Sequence, residues 1–68
     1  MMQQITTEFI RLDALLKLCS FAESGGHAKV MIQNGQVMVN NEVCTMRGKK
    51  IRPNDTVTVD GKTITVTV

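Results

Sequence analysis

The sequence predicts an α+β fold, with two N-terminal helices packed on a small, mostly antiparallel sheet. Three observations predict it. Apolar residues in the first half recur at helical spacing, those after Gly35 alternate with a period of two, and only a short connection around Ala22-Glu23 separates the two helical patterns. At 68 residues and 43% hydrophobic content, the chain suits one small globular domain covering 1–68. Such a domain buries about 60% of the surface that its unfolded chain exposes.

Each element follows from local chemistry. Gln3 to Phe9 is rich in Ile and Thr, with no helix stop, and reads as a short first strand or extended lead-in. From Arg11 the period becomes helical. Leu12, Leu15, Leu16 and Cys19 form one stripe, Asp13 and Lys17 suit the two ends of the helix dipole, and Leu18 and Phe21 widen the apolar face. A second helix starts at Ser24, a good N-cap, turns Ala28, Met31 and Ile32 inward, and ends at Asn34-Gly35. Helices so closely joined must be neighbours, as in a helix-turn-helix.

Val37 and Val39 then mark a strand, Asn40-Asn41 a turn and Val43 a short return strand. Met46 to Arg52 is basic and glycine-bearing, and reads as an exposed loop before the Pro53-Asn54-Asp55 turn. The clearest β signal comes last. Val57 and Val59, the Asp60-Gly61 turn, and Ile64, Val66 and Val68 alternate with threonines to give a hairpin with one aliphatic and one threonine face. The first strand and the last are expected to be open edges.

Charge is unevenly placed. Ser24 to Arg52 holds Lys29, Arg47, Lys49, Lys50 and Arg52 against the single acid Glu42, a balance of +4; the remainder holds three cations and five acids, a balance of −2. Gly25 and Gly26 occupy the first turn of the second helix, where each is worse than Ala by up to about 1 kcal/mol. Two readings are open: bare backbone amides at a positive helix end can approach a phosphate, or small residues let a neighbouring element pack closely. Four cations between 47 and 52 are by themselves an ordinary solvated loop. Together with Lys29 and the helix start they could face one continuous acidic ligand, of which nucleic acid is the commonest.

The chain has no Trp or Tyr, and Phe9 and Phe21 are expected in the core, so stacking of single-stranded bases is not the mode. Recognition would rest on phosphates, sugar hydroxyls and helix-end amides, with Gln33, Asn40 and Asn41 as optional polar contacts. Other chemistries lack their residues. Ser24 and His27 have no third orienting group, and Ser24 is already explained as a cap. No phosphate-loop or dinucleotide fingerprint appears, so neither an enzyme nor a cofactor is expected. His27 as the only histidine, with no close cysteine pair, excludes a structural zinc pattern. Cys19 and Cys44 are expected as reduced, partly buried thiols. The first residues are not a signal peptide and no apolar run nears the roughly 20 residues of a membrane span, so the expected location is the cytoplasm.

Arg11-Leu12-Asp13 with Leu16, then Ser24, Ala28, Ile32, Gly35, Val37, Val39 and Asn40, and finally Asp55, Val57 and Val59, resemble the S4-type RNA-binding domain over about 11–59. Within it, Gly25-Gly26, Ala28-Lys29 and the Arg47-Gly48-Lys49-Lys50 loop before Pro53 and Asp55 resemble small stand-alone bacterial members. The resemblance implies an αL motif, two helices and a β-turn-β element, set against structured RNA. Two positions depart from the family pattern: Gly25 stands where an arginine often follows the serine, and Asn41 where a glycine often follows the strand asparagine. The expectation is a non-enzymatic monomer that grips structured RNA, ribosomal or tRNA-like, with the ribosome itself as a further partner. The residues expected to carry it are Ser24, Gly25, Gly26, His27, Lys29, Arg47, Lys49, Lys50 and Arg52. The alternatives are a protein–protein adaptor using a sheet edge or the threonine face, and a ubiquitin-like sulfur carrier. Such carriers end in Gly-Gly, whereas this chain ends Thr67-Val68.

Overall fold

The computed structural model describes residues 1–68. Its elements are β1 (Met2–Gln4), β2 (Ile10–Arg11), α1 (Leu12–Leu18), α2 (Gly25–Gln33), β3 (Val37–Val39), β4 (Glu42–Val43), β5 (Lys50–Ile51), β6 (Thr56–Val59) and β7 (Lys62–Thr67). Two helices on a mixed sheet make the expected α+β fold. The main sheet has the order β1-β7-β6-β3-β4, antiparallel except for β1 beside β7, and β2 and β5 form a separate two-stranded ribbon.

Both helices end in the same way. After α2, Gly35 takes a left-handed φ of 76°, its amide donates to the Ile32 carbonyl, and the Gln36 amide donates to that of Met31. After α1, Ser20 takes φ 63°, its amide donates to Lys17 and the Phe21 amide to Leu16. These are two Schellman caps, one on the usual glycine and one on a serine. The two hairpins also match. Asn40 and Asn41 (φ 50° and 70°) join β3 to β4, and Asp60 and Gly61 (φ 50° and 77°) join β6 to β7. Positive φ at both central residues is what a type I′ turn requires.

The core lies between the helices and the aliphatic face of the sheet. Leu12, Leu15, Leu16, Ala28 and Ile32 join Val37, Val57 and Val66 in one cluster, all fully buried. At about 1.5–3 kcal/mol for each large side chain, this burial holds together a domain with no disulfide and one ion pair.

Several expectations need correction. The expected strand over Gln3–Phe9 stops at Gln4, and the chain turns before pairing again as β2. Leu18 is 53% exposed, because at 100° per residue it lies about 60° outside the Leu12-Leu15-Leu16 stripe. Val68 is 82% exposed, since β7 ends at Thr67 and nothing pairs beyond it. The segment Met46–Arg52 is not all loop: Lys50–Ile51 pairs antiparallel with Ile10–Arg11, and Ile51 is fully buried. β7 is not an edge, because β1 covers it. Phe21 packs against the core as expected, but Phe9 lies outside it and instead carries the Lys50 ammonium 5.0 Å from its ring centroid.

Candidate nucleic-acid interface

The start of α2 is organised by Ser24 and His27. The Ser24 hydroxyl accepts the His27 amide at 3.1 Å, and His27 Nδ1 accepts the Glu23 amide at 3.1 Å. This is the reciprocal logic of a capping box with an imidazole in the second role. The Ala28 amide donates to the Ser24 carbonyl, so the amides left bare at this end belong to Gly25 and Gly26. Around them is open space. A Cβ on Gly25 would meet no heavy atom within 4 Å, and one on Gly26 would meet only the Ser24 hydroxyl at 3.9 Å. Neither glycine has a left-handed backbone. Close packing against another element is therefore not their reason. Lys29 follows, half-buried, beyond this turn.

Arg47, Lys49, Lys50 and Arg52 are all exposed. Their backbone is firmly anchored. The Leu12 amide donates to the Lys49 carbonyl at 2.9 Å and the Asp13 amide to the Arg47 carbonyl at 3.1 Å. The basic segment thus caps α1, whose N-cap Arg11 supplies no side-chain cap of its own. No hydrogen bond or ion pair links this segment to the start of α2.

The charges stand uncompensated. The one ion pair in the molecule joins Arg11 to Asp13 at 3.1 Å. Asp55, three residues after Arg52, does not pair with its guanidinium. Its carboxylate accepts the Arg52 amide at 2.8 Å and the Asn40 side-chain amide at 3.2 Å. Arg11 is absent from the residues expected from the sequence, where it reads as the lead-in to α1. Its place emerges only from pairing, directly opposite Lys50 across the β2–β5 ribbon.

An open depression of about 440 Å³ lies between the β3–β4 hairpin and the basic turn, lined among others by Asn40, Glu42, Val43, Met46 and Lys49. Cys44 and Thr45 complete its polar lining, and no cluster of three potential metal ligands occurs anywhere in the molecule. Both cysteines are free and partly buried, and burial pushes the Cys19 thiol up, which keeps it protonated and inert. No helix is long and apolar enough to cross a membrane.

The profile of the S4 domain matches residues 3–67. The chain belongs to the S4 domain family. Among its relatives, a Bacillus subtilis (strain 168) protein named "Probable ribosome maturation protein RlbA" is 40% identical over 57 residues, which span 84% of this chain and 80% of that one. YbcJ of Escherichia coli (strain K12) is 40% identical over 57 residues, spanning 84% and 81%. The solution structure of E. coli YbcJ, described as revealing an αL motif involved in RNA-binding, superposes with a TM-score of 0.75 at 34% identity and covers 98% of this chain and 86% of that one. This S4 domain has that fold, with α1, α2 and the β3–β4 turn as its αL motif.

Proposed function

We propose that this S4 domain is a non-enzymatic RNA-binding protein that holds structured RNA, ribosomal or tRNA-like, by its phosphates. The observation that carries the proposal is the uncompensated charge of Arg47, Lys49, Lys50 and Arg52, four exposed cations with no carboxylate within 4.0 Å, on a backbone fixed to α1. Maintaining like charges close together without partners is unfavourable in the free protein and becomes favourable opposite a polyanion. The start of α2 adds the bare amides of Gly25 and Gly26, the cation of Lys29, and His27, whose Nδ1 acceptor role leaves Nε2 to donate outward in the neutral ring. The names of the relatives, with RNA-binding and ribosome maturation in them, support the same partner.

The sheet-edge adaptor is less favoured on physical grounds. The outermost strands are β1 with three residues and β4 with two, short edges of the kind that discourage strand addition.

The test is a titration of purified protein against ribosomal RNA, tRNA and duplex DNA at 50 and 200 mM salt. With about four phosphates neutralised, affinity falls roughly a hundredfold between these concentrations. The variant Arg47→Ala/Lys49→Ala/Lys50→Ala/Arg52→Ala keeps the backbone carbonyls that cap α1 and should remain folded while losing most of this binding. Salt-independent affinity, or a folded variant that binds RNA as well as the parent, removes the phosphate-gripping mechanism. A variant that keeps a protein partner in nuclease-treated lysate, from a parent that binds no RNA, moves the adaptor forward.

A further inference from the structure

The β2–β5 ribbon contains a charge arrangement that folding alone does not explain. Arg11 and Lys50 are direct cross-strand partners, so their side chains share one face, while Ile10 and Ile51 turn to the other, toward the core. Like charges directly opposite each other destabilise a ribbon. Each is held in place by a different device. Asp13 grips Arg11 side-on, Oδ1 accepting from Nε at 3.2 Å and Oδ2 from Nη2 at 3.1 Å. That geometry occupies two of the five guanidinium N–H groups and leaves three, including both on Nη1. Lys50 rests over the Phe9 ring at 5.0 Å, a placement that fixes an ammonium without neutralising it.

Beside them lies Gly48. Its backbone is not left-handed, and a Cβ would meet only the Arg11 guanidinium, at an ordinary 3.7 Å. Neither conformation nor packing within the chain requires glycine here. What glycine leaves is no side chain of its own against the guanidinium.

We propose that Arg11 and Lys50, opposed across the β2–β5 ribbon beside Gly48, form one phosphodiester-binding subsite, with Asp13 as the residue that positions the Arg11 guanidinium. The proposal rests on the RNA-binding function proposed above and adds Arg11, outside both the basic segment and the start of α2, as a direct contact. A phosphate seated between the two cations relieves their mutual repulsion and accepts from the free Nη edge of Arg11, the planar donor array suited to it. Because Asp13 takes one edge of the guanidinium, only the other faces the ligand.

The experiment measures affinity of the full chain for total ribosomal RNA across a salt series, for the parent, Arg11→Gln, Arg11→Lys, Gly48→Leu and Arg47→Ala/Arg52→Ala, with thermal melting of each. Arg11→Gln is expected to weaken binding about five- to tenfold and to reduce the slope of log K against log salt by about 0.7–0.9, the signature of one phosphate no longer neutralised. Arg11→Lys should keep most of the slope but bind more weakly, because an ammonium cannot be held by Asp13 and present a planar edge together. Gly48→Leu removes no charge yet should reduce both affinity and slope by placing a side chain against the guanidinium. If the parent binds with salt sensitivity and Arg47→Ala/Arg52→Ala weakens it, while folded Arg11→Gln or Gly48→Leu matches the parent in affinity and slope, this subsite is wrong and the wider RNA-binding function stands. A parent that does not bind ribosomal RNA overturns both. Should Arg11→Gln melt below the assay temperature, Gly48→Leu decides alone.

Discussion

Asn40 and Asp55, fifteen residues apart, are joined side chain to side chain, Asn40 Nδ2 donating to Asp55 Oδ1 at 3.2 Å. Each also holds a backbone amide near Asp55. Asn40 Oδ1 accepts the Thr56 amide at 3.0 Å, and Asp55 Oδ2 accepts the Arg52 amide at 2.8 Å. The tip of β3 is thereby tied to the turn that launches β6, and the end of the basic segment is tied to both. Replacing Asn40 by Ala removes its side-chain bonds to Asp55 and Thr56 and places a Cβ residue of poor left-handed tolerance at φ 50°. The expected cost is about 2–3 kcal/mol, or ten degrees or more in melting temperature for a domain of this size. A double-mutant cycle with Asp55→Ala should show coupling of at least about 0.5 kcal/mol; strict additivity would mean that the two side chains do not act together.

Ser24 allows stability and binding to be separated. Ser24→Ala removes the acceptor of the His27 amide and is expected to cost about 1 kcal/mol in urea unfolding. Ser24→Asp keeps the acceptor and should leave stability within about 0.5 kcal/mol, while a carboxylate beside the bare glycine amides should weaken RNA binding several-fold. Unchanged binding by Ser24→Asp would remove the start of α2 from the interface.

Gly25→Ala and Gly26→Ala are expected to move the two properties in opposite directions. Alanine is the better helix former by up to about 1 kcal/mol and meets no steric obstacle at either position. Melting temperature should rise by a few degrees and RNA affinity should fall. If affinity is unchanged in both, the amides at this helix end do not touch the ligand.

Ser20→Gly is expected to stabilise the protein by about 0.5–1 kcal/mol without touching the proposed interface. Ser20 takes a left-handed φ of 63° in the α1 cap, a conformation that strains residues with a Cβ and suits glycine. Chemical denaturation of the two forms at one temperature checks it. A drop in stability would show that the serine side chain has a compensating role.

Ile51 shows why the basic segment is not one uniform loop. Ile51→Ala should cost about 2–4 kcal/mol, as for a fully buried aliphatic side chain. Lys49→Gln, a near neighbour in sequence but exposed, should stay within about 0.5 kcal/mol. Thermal melting of the pair distinguishes a buried strand from a solvated one.

What the sequence makes legible is local. The Ser24 cap, the Gly35 stop, the Asn40-Asn41 turn and the valine alternation of the last hairpin each depend on residues within a few positions, and each appears where its chemistry predicts. The β2–β5 ribbon depends on Ile10 meeting Ile51 across the whole middle of the domain. Two-residue strands carry no periodicity, so Ile51 looks like an apolar residue stranded among cations, and Arg11 looks like a helix lead-in. The α1 stop is hidden for another reason: a serine does there what glycine usually does. Within the candidate site, residue types that bind anions can be read from composition, but the unpaired state of Arg52 cannot. It follows from Asp55 turning its carboxylate to the Arg52 backbone amide and the Asn40 side chain.

The parallel seat of β1 against β7 sets an order of events during synthesis. The Ile5 amide donates to the Thr67 carbonyl and the Thr65 amide to that of Met1, so β1 has no partner until β7 is also free of the exit tunnel. At about 5–20 residues per second, the helices have several seconds' head start in which to form while the segment Met2–Gln4 waits. Closure of the sheet between β1 and β7 is then a late event, zipping the first strand of this domain to its last.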